Sequence, residues 1–157
     1  LELLLQTGAR RFSILTLKKK DINLASKEVS IKNHKTNTTY KGFLQDDLIE
    51  PLNEYLKDFK INDDIFSYNE NMDYSQTGHK LLTILDKLFN VGLASNDRKN
   101  RVVIHTLRHT MASHLAINGT PIFTIQKLLN HSDINQTLRY AKLSPEYGKN
   151  AIQGLYK

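Results

Sequence analysis

Three histidines and one arginine share the short amphipathic stretch "HTLRHTMASHL", residues 105–115. His105 and His109 lie four residues apart, which on a helix places both side chains on one face. This is the spacing of the zinc-protease motif H-E-x-x-H, but Thr106 stands where that motif has its glutamate base. The guanidinium of Arg108 would lie on the face that a metal ion would use, and two cations repel each other. We therefore expect no metal here and interpret Arg108 as part of the site.

Side chains elsewhere in the chain complete the set that phosphodiester transfer to a tyrosine requires. Two arginines can hold the non-bridging phosphate oxygens and neutralise charge in the pentavalent transition state. A lysine can protonate the departing sugar oxygen, and one histidine can hydrogen-bond the phosphate. A second histidine can accept the tyrosine proton, which matters because an ordinary phenol, with a pKa of about 10, is scarcely ionised at neutral pH. The six candidates are Arg10, Lys35, His105, Arg108, His131 and Tyr140.

Taken singly, each candidate has a more ordinary interpretation. Arg10 could be a surface arginine, and Lys35 could be a solvated lysine in a turn. His131 could stabilise the negative end of a helix dipole, and Tyr140 could be a half-buried core aromatic. The residue types alone therefore do not decide the function.

The N-terminal third of the chain predicts two short helices followed by a small sheet. Apolar spacing in residues 1–17 is helical, with a break at Thr7-Gly8 just before Arg10. The stretches "EVSIKN" and "TTYKGFL" alternate and are rich in β-branched and aromatic residues, which predicts a β-hairpin with Lys35 in its turn. We expect "KKDIN", residues 19–23, to add a third strand.

Helices follow the hairpin. Residues 45–59 are one candidate, and residues 75–90 are a stronger one because their apolar residues form a single stripe. The stripe consists of Leu81, Leu82, Leu85, Leu88 and Phe89.

The helix that begins near His105 is expected to bury Leu107, Met111 and Leu115. Residues 105, 108 and 109 would then project together from another face. Asn118-Gly119 is a natural C-terminal stop for this helix.

Three further helices are predicted beyond that stop. Thr120 is expected to cap the first, with Pro121 in its first turn and its apolar residues facing inward up to "NHSD". "INQTLRYAK" predicts a short helix, and Ser144-Pro145-Glu146 would cap a last amphipathic one. The inward-facing residues of the first helix are Ile122, Ile125, Leu128 and Leu129.

Four boxes of this sequence resemble those of the tyrosine recombinases, also called phage-type integrases, in the same order. "TGAR" matches the box of the first arginine, and "NHKTNTTYKGFL" is similar to the β-hairpin that supplies the lysine. "HTLRHTMASHL" is very similar to the H-x-L-R-H-T box, and "IQKLLNHSDINQTLRYAK" resembles the box that contains the last histidine and the tyrosine. Arg108 and His131 have the separation of 23 residues that is usual in the family. Within the family the chain looks most similar to Xer-like bacterial enzymes.

The resemblance implies an α+β catalytic fold that is mostly helical and contains a small three-stranded antiparallel sheet. It implies a site-specific recombinase or integrase that cleaves and rejoins DNA through a 3′-phosphotyrosyl intermediate, with neither metal nor cofactor. Tyr140 would be the nucleophile, Lys35 the acid and His105 the base. Arg10, Arg108 and His131 would hold the phosphate. The implied partners are double-stranded DNA and three further protomers, contacted through a C-terminal helix at residues 145–157.

Two positions depart from the family pattern. Ser13 stands where an acidic residue usually supports the first arginine, so we expect backbone carbonyls, a hydroxyl or another acid to hold Arg10. Asn130 replaces the usual glycine before His131, which we expect a helix end to tolerate. We also expect residues 1–157 to be the catalytic domain alone, without the family's N-terminal DNA-clamping domain, and therefore to bind DNA weakly.

The composition agrees with a polyanionic partner. The net charge is +6 and the isoelectric point is near 9.4, with clusters at residues 18–20 and 98–101. The chain has no cysteine, no apolar run of membrane-span length and no signal-peptide layout. We therefore expect a cytoplasmic protein associated with the nucleoid.

Two other functions remain open at the level of the residues. A non-catalytic helix–turn–helix DNA-binding module would explain the charge and residues 124–141, but it leaves Arg10, Lys35, His105 and Arg108 without a role. A type IB topoisomerase uses nearly the same chemistry, and it differs by relaxing supercoils as a monomer. Metal-dependent nucleases are disfavoured because no acidic cluster accompanies these motifs.

Overall fold

Two short helices separated by a glycine begin the chain. The computed structural model describes residues 1–66, 74–145 and 152–153. Helix α1 spans Glu2–Thr7 and helix α2 spans Arg11–Leu15. Gly8 between them has φ +58°, a left-handed conformation that closes α1 through a hydrogen bond from its N–H to the Leu4 carbonyl. The predicted break is therefore confirmed, and it places Arg10 at the N-cap of α2.

An antiparallel sheet in the order β1-β2-β3 follows. Strand β1 spans Ile22–Asn23, β2 spans Glu28–Asn33 and β3 spans Thr38–Phe43. Val29 and Ile31 are fully buried and pair with Gly42 and Tyr40, so one face of the sheet lies on the core. The hairpin and its turn at residues 34–37 are confirmed.

The third strand is shorter than the sequence predicts. Of the residues 19–23, only Ile22 and Asn23 pair with β2. Lys19–Asp21 form a 3₁₀ turn instead. The Asp21 carboxylate accepts a hydrogen bond from the Lys18 N–H at 2.9 Å, which favours a turn over an extended strand.

Helices α3, Asp46–Leu56, and α4, Tyr74–Phe89, agree with the predicted segments. The predicted stripe on α4 is wrong at its C-terminal end, where Leu88 is 61% and Phe89 55% exposed. Only Leu85 of the stripe is fully buried. Helix α4 packs against α2 and α5. Helical period identifies residues on one stripe, but how far along that stripe a partner reaches depends on tertiary packing.

Three helices form the C-terminal half of the described chain. Helix α5 spans Ile104–Ile117, α6 spans Ile122–Leu128 and α7 spans Asn135–Leu138, and a 3₁₀ turn follows at Ala141–Leu143. The stop after α5 is confirmed by Gly119 at φ +77°. The N-cap of α6 is Pro121 rather than the predicted Thr120, because Pro121 is the residue with extended backbone before the first helical turn.

The predicted C-terminal helix lies mostly outside the described residues. Ile152 and Gln153 are helical, and the rest of residues 146–157 falls outside the described ranges. In the part of the chain that is described, no helix has the length and apolar character needed to cross a bilayer.

The core consists of two clusters that meet at α5. The larger joins α1, α2, the sheet, α3 and α4 through residues such as Leu4, Ile31 and Leu85. The smaller lies between α5, α6 and the segment after α7. Its buried residues are Ala112, Ala116, Ile125, Leu129 and Tyr140.

Substituting Gly8 by alanine should destabilise the protein by roughly 2–4 kcal/mol. A left-handed φ is unfavourable for a residue with a Cβ, and overpacking adds a further cost. A Cβ at Gly8 would lie 2.5 Å from Met111 Sδ and 2.8 Å from Leu129 Cδ2. Urea unfolding followed by circular dichroism measures the change.

Gly92 provides the matched control. It has φ +78°, but a Cβ added there would meet no atom within 4 Å, so Gly92→Ala carries only the backbone penalty, about 1 kcal/mol. Equal losses of stability in the two variants would show that the crowding at Gly8 is not a constraint.

Candidate active site

Arg108 is the most enclosed charged residue of the site. Its side chain lies on α5, and the residue is only 3% exposed. Nη1 donates to the Gly8 carbonyl, and Nη2 donates to the Leu129 carbonyl at 2.5 Å. The guanidinium therefore joins the break before α2 to the end of α6.

The buried line of α5 differs from the predicted one. Leu107, Met111 and Leu115 are only partly buried, whereas the buried positions are Ile104, Arg108, Ala112 and Ala116. Helix α5 is contacted by α1, α4 and α6. The face of α5 that these helices cover carries Ala112 and Ala116, whose small side chains permit close approach of the backbones. Arg108 thus belongs to the buried face, while Leu107, Met111 and Leu115 pack against the core clusters as predicted but are less enclosed.

Tyr140 lies where the segment after α7 folds back against α5 and α6. The residue is 5% exposed and belongs to the smaller core cluster. Its hydroxyl is hydrogen-bonded to Nδ1 of His109. Burial raises the pKa of the Tyr140 phenol, and the positive charges of Arg139 and Arg108 oppose that shift.

His131 is held in place by the turn that follows α6. The preceding residue, Asn130, has φ +49°, a left-handed conformation that asparagine tolerates better than most side chains. The family's usual glycine is therefore replaced at a position where asparagine fits, as expected. His131 Nδ1 lies 2.8 Å from the hydroxyl oxygen of the buried Thr137.

The pKa of His131 is lowered to about 4. Burial is the largest cause, followed by the positive charges of Arg108, Arg10 and Arg139. The pKa values of His105 and His109 are also lowered, chiefly by burial. All three imidazoles are therefore neutral at pH 7 and surrounded by fixed positive charge, an arrangement that favours an anion.

His105 and Arg10 complete the cluster. The His105 ring meets the His109 ring edge to face, with centroids 4.6 Å apart at 89°. Arg10 is half-buried at the start of α2, and its charge lowers the pKa values of Arg108, His105 and His131. The structure thus brings together five of the six predicted site residues.

The support expected for Arg10 is not found. Ser13 is buried, and within residues 1–66 and 74–145 no hydrogen bond or ion pair involves the Arg10 guanidinium. The expectation that carbonyls, a hydroxyl or another acid would hold Arg10 is therefore wrong for this part of the chain. Within the described residues no partner occupies its donors, and its charge acts on the cluster.

Lys35 is the sixth predicted residue, and it stands apart. It is exposed in the turn between β2 and β3, where its backbone N–H donates to Asn33 Oδ1 at 3.1 Å. In the described residues its side chain makes no contact with the other five. The turn itself is docked on α2, because His34 Nε2 lies 2.8 Å from Thr16 Oγ1 and its ring packs on Phe12.

Three residues join the site that the sequence did not include among the candidates. His109, which the sequence places on one helix face with His105, makes the direct contact with Tyr140. Arg139 is exposed, and its charge lowers the pKa values of all three histidines. The Tyr40 hydroxyl is buried beside Arg108 without a partner that meets hydrogen-bond geometry. The sequence contained one signal for these residues, the position of the cationic Arg139 directly before Tyr140. Nothing in the sequence indicated that Tyr40 belongs to the site.

Metal ligands do not converge in the described part of the chain. No three histidine or carboxylate side chains there lie close enough together to hold an ion. Independence from metal remains a prediction that only an experiment with a chelator tests.

Comparison with known proteins places this arrangement in a family. The sequence profile of the phage integrase family matches residues 1–146. The chain belongs to the phage integrase family. The resemblance seen in the four sequence boxes is therefore confirmed.

Xer recombinases are among the relatives of this phage integrase family member. The tyrosine recombinase XerA of Saccharolobus solfataricus is 32% identical over 91% of this chain and 44% of its own length. XerD of Staphylococcus epidermidis is 31% identical over 99% of this chain and 52% of its own. The chain thus spans about half the length of these relatives.

Solved structures show the same fold. The crystal structure of XerH bound to its difH substrate superimposes with a TM-score of 0.71. At 22% identity it covers 99% of this chain and 45% of the XerH chain. The predicted fold class, mostly helical with a three-stranded antiparallel sheet, is confirmed.

Lowering the pH should destabilise the protein through His131. An unfolded histidine titrates near 6.5 and the folded His131 near 4, so between these values the unfolded chain binds a proton that the folded chain does not. Stability should fall as the pH drops from 6.5 towards 4, and this group should add no further loss below 4.

Urea unfolding across that pH range should show a weaker pH dependence for His131→Gln than for the wild type. His105 and His109 act in the same direction, so part of the dependence should remain. His114→Gln, which removes an exposed histidine on α5 outside the cluster, is the matched control. An unchanged slope in His131→Gln would contradict this account.

Proposed function

We propose that this chain is the catalytic domain of a site-specific DNA recombinase or integrase that uses Tyr140 as its nucleophile. The observation that carries the proposal is the contact of the Tyr140 hydroxyl with a cluster containing the buried Arg108 and three neutral histidines. The family match supports the reaction class.

The chemistry is transfer of a phosphodiester from a sugar oxygen to a phenol. Tyr140 Oη attacks the scissile phosphorus, the bond from phosphorus to the 5′ oxygen breaks, and a 3′-phosphotyrosyl link remains. Arg10, Arg108 and His131 bind the non-bridging oxygens, whose charge grows in the transition state. The energy of the phosphodiester is conserved in the protein–DNA bond, so rejoining needs neither ATP nor a metal.

Lys35 is proposed as the acid that protonates the leaving 5′ oxygen. The docked turn supports this role because His34, its neighbour, packs on Phe12, two residues from Arg10. This docking brings the turn to the α2 side of the sheet, and we expect the exposed Lys35 side chain to reach a phosphate bound by Arg10.

Double-stranded DNA is the proposed partner. The net charge of +6 supports an electrostatic contact with phosphates. Arg10 and Arg139 present further charge at the mouth of the site, where Arg139 is exposed. XerH, whose fold is shared, is bound to its difH substrate. Association with the nucleoid would follow from DNA binding.

The helix–turn–helix alternative has little support in the structure. Its second helix would be α7, which spans only Asn135–Leu138, about one turn. A recognition helix that short offers no face for the major groove. The names of the relatives favour recombination over this alternative and over a topoisomerase.

Tyr140→Phe should fold and bind DNA but form no covalent adduct, because it removes only the nucleophilic oxygen. The substrate is a pool of labelled nicked duplexes with randomised sequence around the nick, and adducts are counted on a denaturing gel. Tyr55→Phe, which removes a hydroxyl that bonds to the Ile65 carbonyl, is the control and should form adducts normally.

Excess EDTA should leave adduct formation by the wild type unchanged. An adduct with Tyr140→Phe, or loss of the wild-type adduct in EDTA, would disprove the mechanism.

The protein is further proposed to assemble as a homotetramer on DNA through residues 145–157. The support is the family match and the amphipathic pattern of this segment, whose Ile152 is 68% exposed. Removing residues 145–157 should reduce assembly of two duplexes into one complex more than tenfold, while binding of one protomer to one duplex changes little. Duplexes of the sequence recovered from the adduct pool serve as the DNA for this experiment. Mass photometry distinguishes the complex of two duplexes from one protomer bound to one duplex. Normal assembly by the truncated protein would exclude this role.

A further inference from the structure

The hydroxyl of the proposed nucleophile is paired with a histidine other than the one the sequence motif indicates. His109 Nδ1 is the hydrogen-bond partner of the Tyr140 hydroxyl, and the two ring centroids lie 5.9 Å apart at 49°. His109 is in the middle of α5, one residue after the buried Arg108, so its backbone position is rigidly set.

His105 occupies a different place in the cluster. Its ring touches the edge of His109 rather than Tyr140, and the residue is exposed. It thus lies one ring further from the phenol, on the side open to solvent. The order in space is His105, His109, Tyr140, although His105 is the residue at the head of the H-x-x-R motif.

We propose that His109 is the catalytic base that takes the proton of Tyr140. This inference rests on the proposed function and adds a residue to its machinery. When Tyr140 Oη forms its bond to phosphorus, the phenolic proton moves to Nδ1 of the neutral His109, which becomes an imidazolium. The bond from phosphorus to the 5′ oxygen breaks and that oxygen takes its proton from Lys35, so two protons move, one onto His109 and one from Lys35.

The surroundings of His109 suit it to this step. The proposal requires the imidazole to carry its proton on Nε2, so that Nδ1 accepts the hydrogen bond of the Tyr140 hydroxyl. Burial, Arg139 and Arg108 lower its pKa, so it is neutral at pH 7, and the other titratable groups that face it are His105 and Tyr140. In the rejoining step the imidazolium returns the proton to Tyr140 as the phosphotyrosyl bond breaks.

A His109→Asn variant distinguishes a role of His109 in accepting the proton from a role in positioning the Tyr140 hydroxyl. The asparagine amide oxygen reaches the place of Nδ1 and can accept the tyrosine hydrogen bond, but it cannot take the proton. His109→Asn should slow single-turnover adduct formation on the nicked duplex pool roughly 10²-fold or more, the range for loss of a general base. His114→Asn, on the exposed side of the same helix, should react at the wild-type rate.

The pH profile identifies which histidine is the base. Above pH 6.5 the wild-type rate should be flat, because His109 is already neutral. In His109→Asn the rate should rise with pH, because attack then requires ionisation of Tyr140, whose pKa is raised above its ordinary value by burial. The rate of His105→Asn should remain independent of pH over the same range, whether or not it is lower than the wild-type rate. A rise in His105→Asn instead, or a faster reaction in His109→Asn, would overturn the proposal.

Nitrogen-15 NMR of the histidine side chains tests the contact without DNA. His109 should be neutral with its proton on Nε2, and Tyr140→Phe should shift its Nδ1 resonance while leaving His114 in place. A proton on Nδ1 or an unshifted resonance would refute the proposal. Failure of the proposed function has a different signature, in which the wild type forms no adduct although the NMR contact is present.

Discussion

The guanidinium of Arg108 is buried against two backbone carbonyls, those of Gly8 and Leu129, and the rest of the site is arranged around it. A buried charge is tolerated only when its donors are satisfied. The two carbonyls satisfy donors but carry no net charge, and within the described residues no carboxylate forms an ion pair with Arg108. Its positive charge therefore remains available to a phosphate.

The hydrogen bonds of Arg108 connect the N-terminal and C-terminal halves of the fold. The Gly8 carbonyl points at Arg108 because Gly8 takes a left-handed φ, and the same conformation begins α2 with Arg10 at its N-cap. The Leu129 carbonyl lies at the end of α6, immediately before Asn130 turns the chain and presents His131. One side chain thus determines where two further phosphate-binding groups lie.

Burial, reinforced by the positive charge of the arginines, keeps the histidines of the cluster neutral. Arg10, Arg108 and Arg139 all lower the pKa values of His105 and His131, in addition to burial. Keeping the imidazoles neutral avoids further repulsion and leaves ring nitrogens able to accept protons. The charges of Arg108 and Arg139 oppose the effect of burial on Tyr140, and so they favour the phenolate that attack requires. An anion at this position would relieve the repulsion among the arginines.

Local pattern in the sequence was enough for the order and type of most elements. Apolar spacing identified α3, α5 and α6, alternation identified the hairpin with Lys35 in its turn, and Gly8 and Gly119 marked breaks that the backbone confirms. The types and order of Arg10, Arg108, His131 and Tyr140 identified the family and the class of chemistry. These features depend on residues near one another along the chain, where period and propensity act directly.

Tertiary structure decided which face of α5 is buried, how much of α4 is covered, and which histidine meets Tyr140. The sequence placed Arg108 on an outward face, because a helical period defines faces but not the partners that cover them. The contact that orders the site joins Arg108 to Gly8 across 100 residues, and His109 meets Tyr140 across 31. Distances in space between residues so far apart depend on the packing of all the elements between them, and no local pattern contains that information.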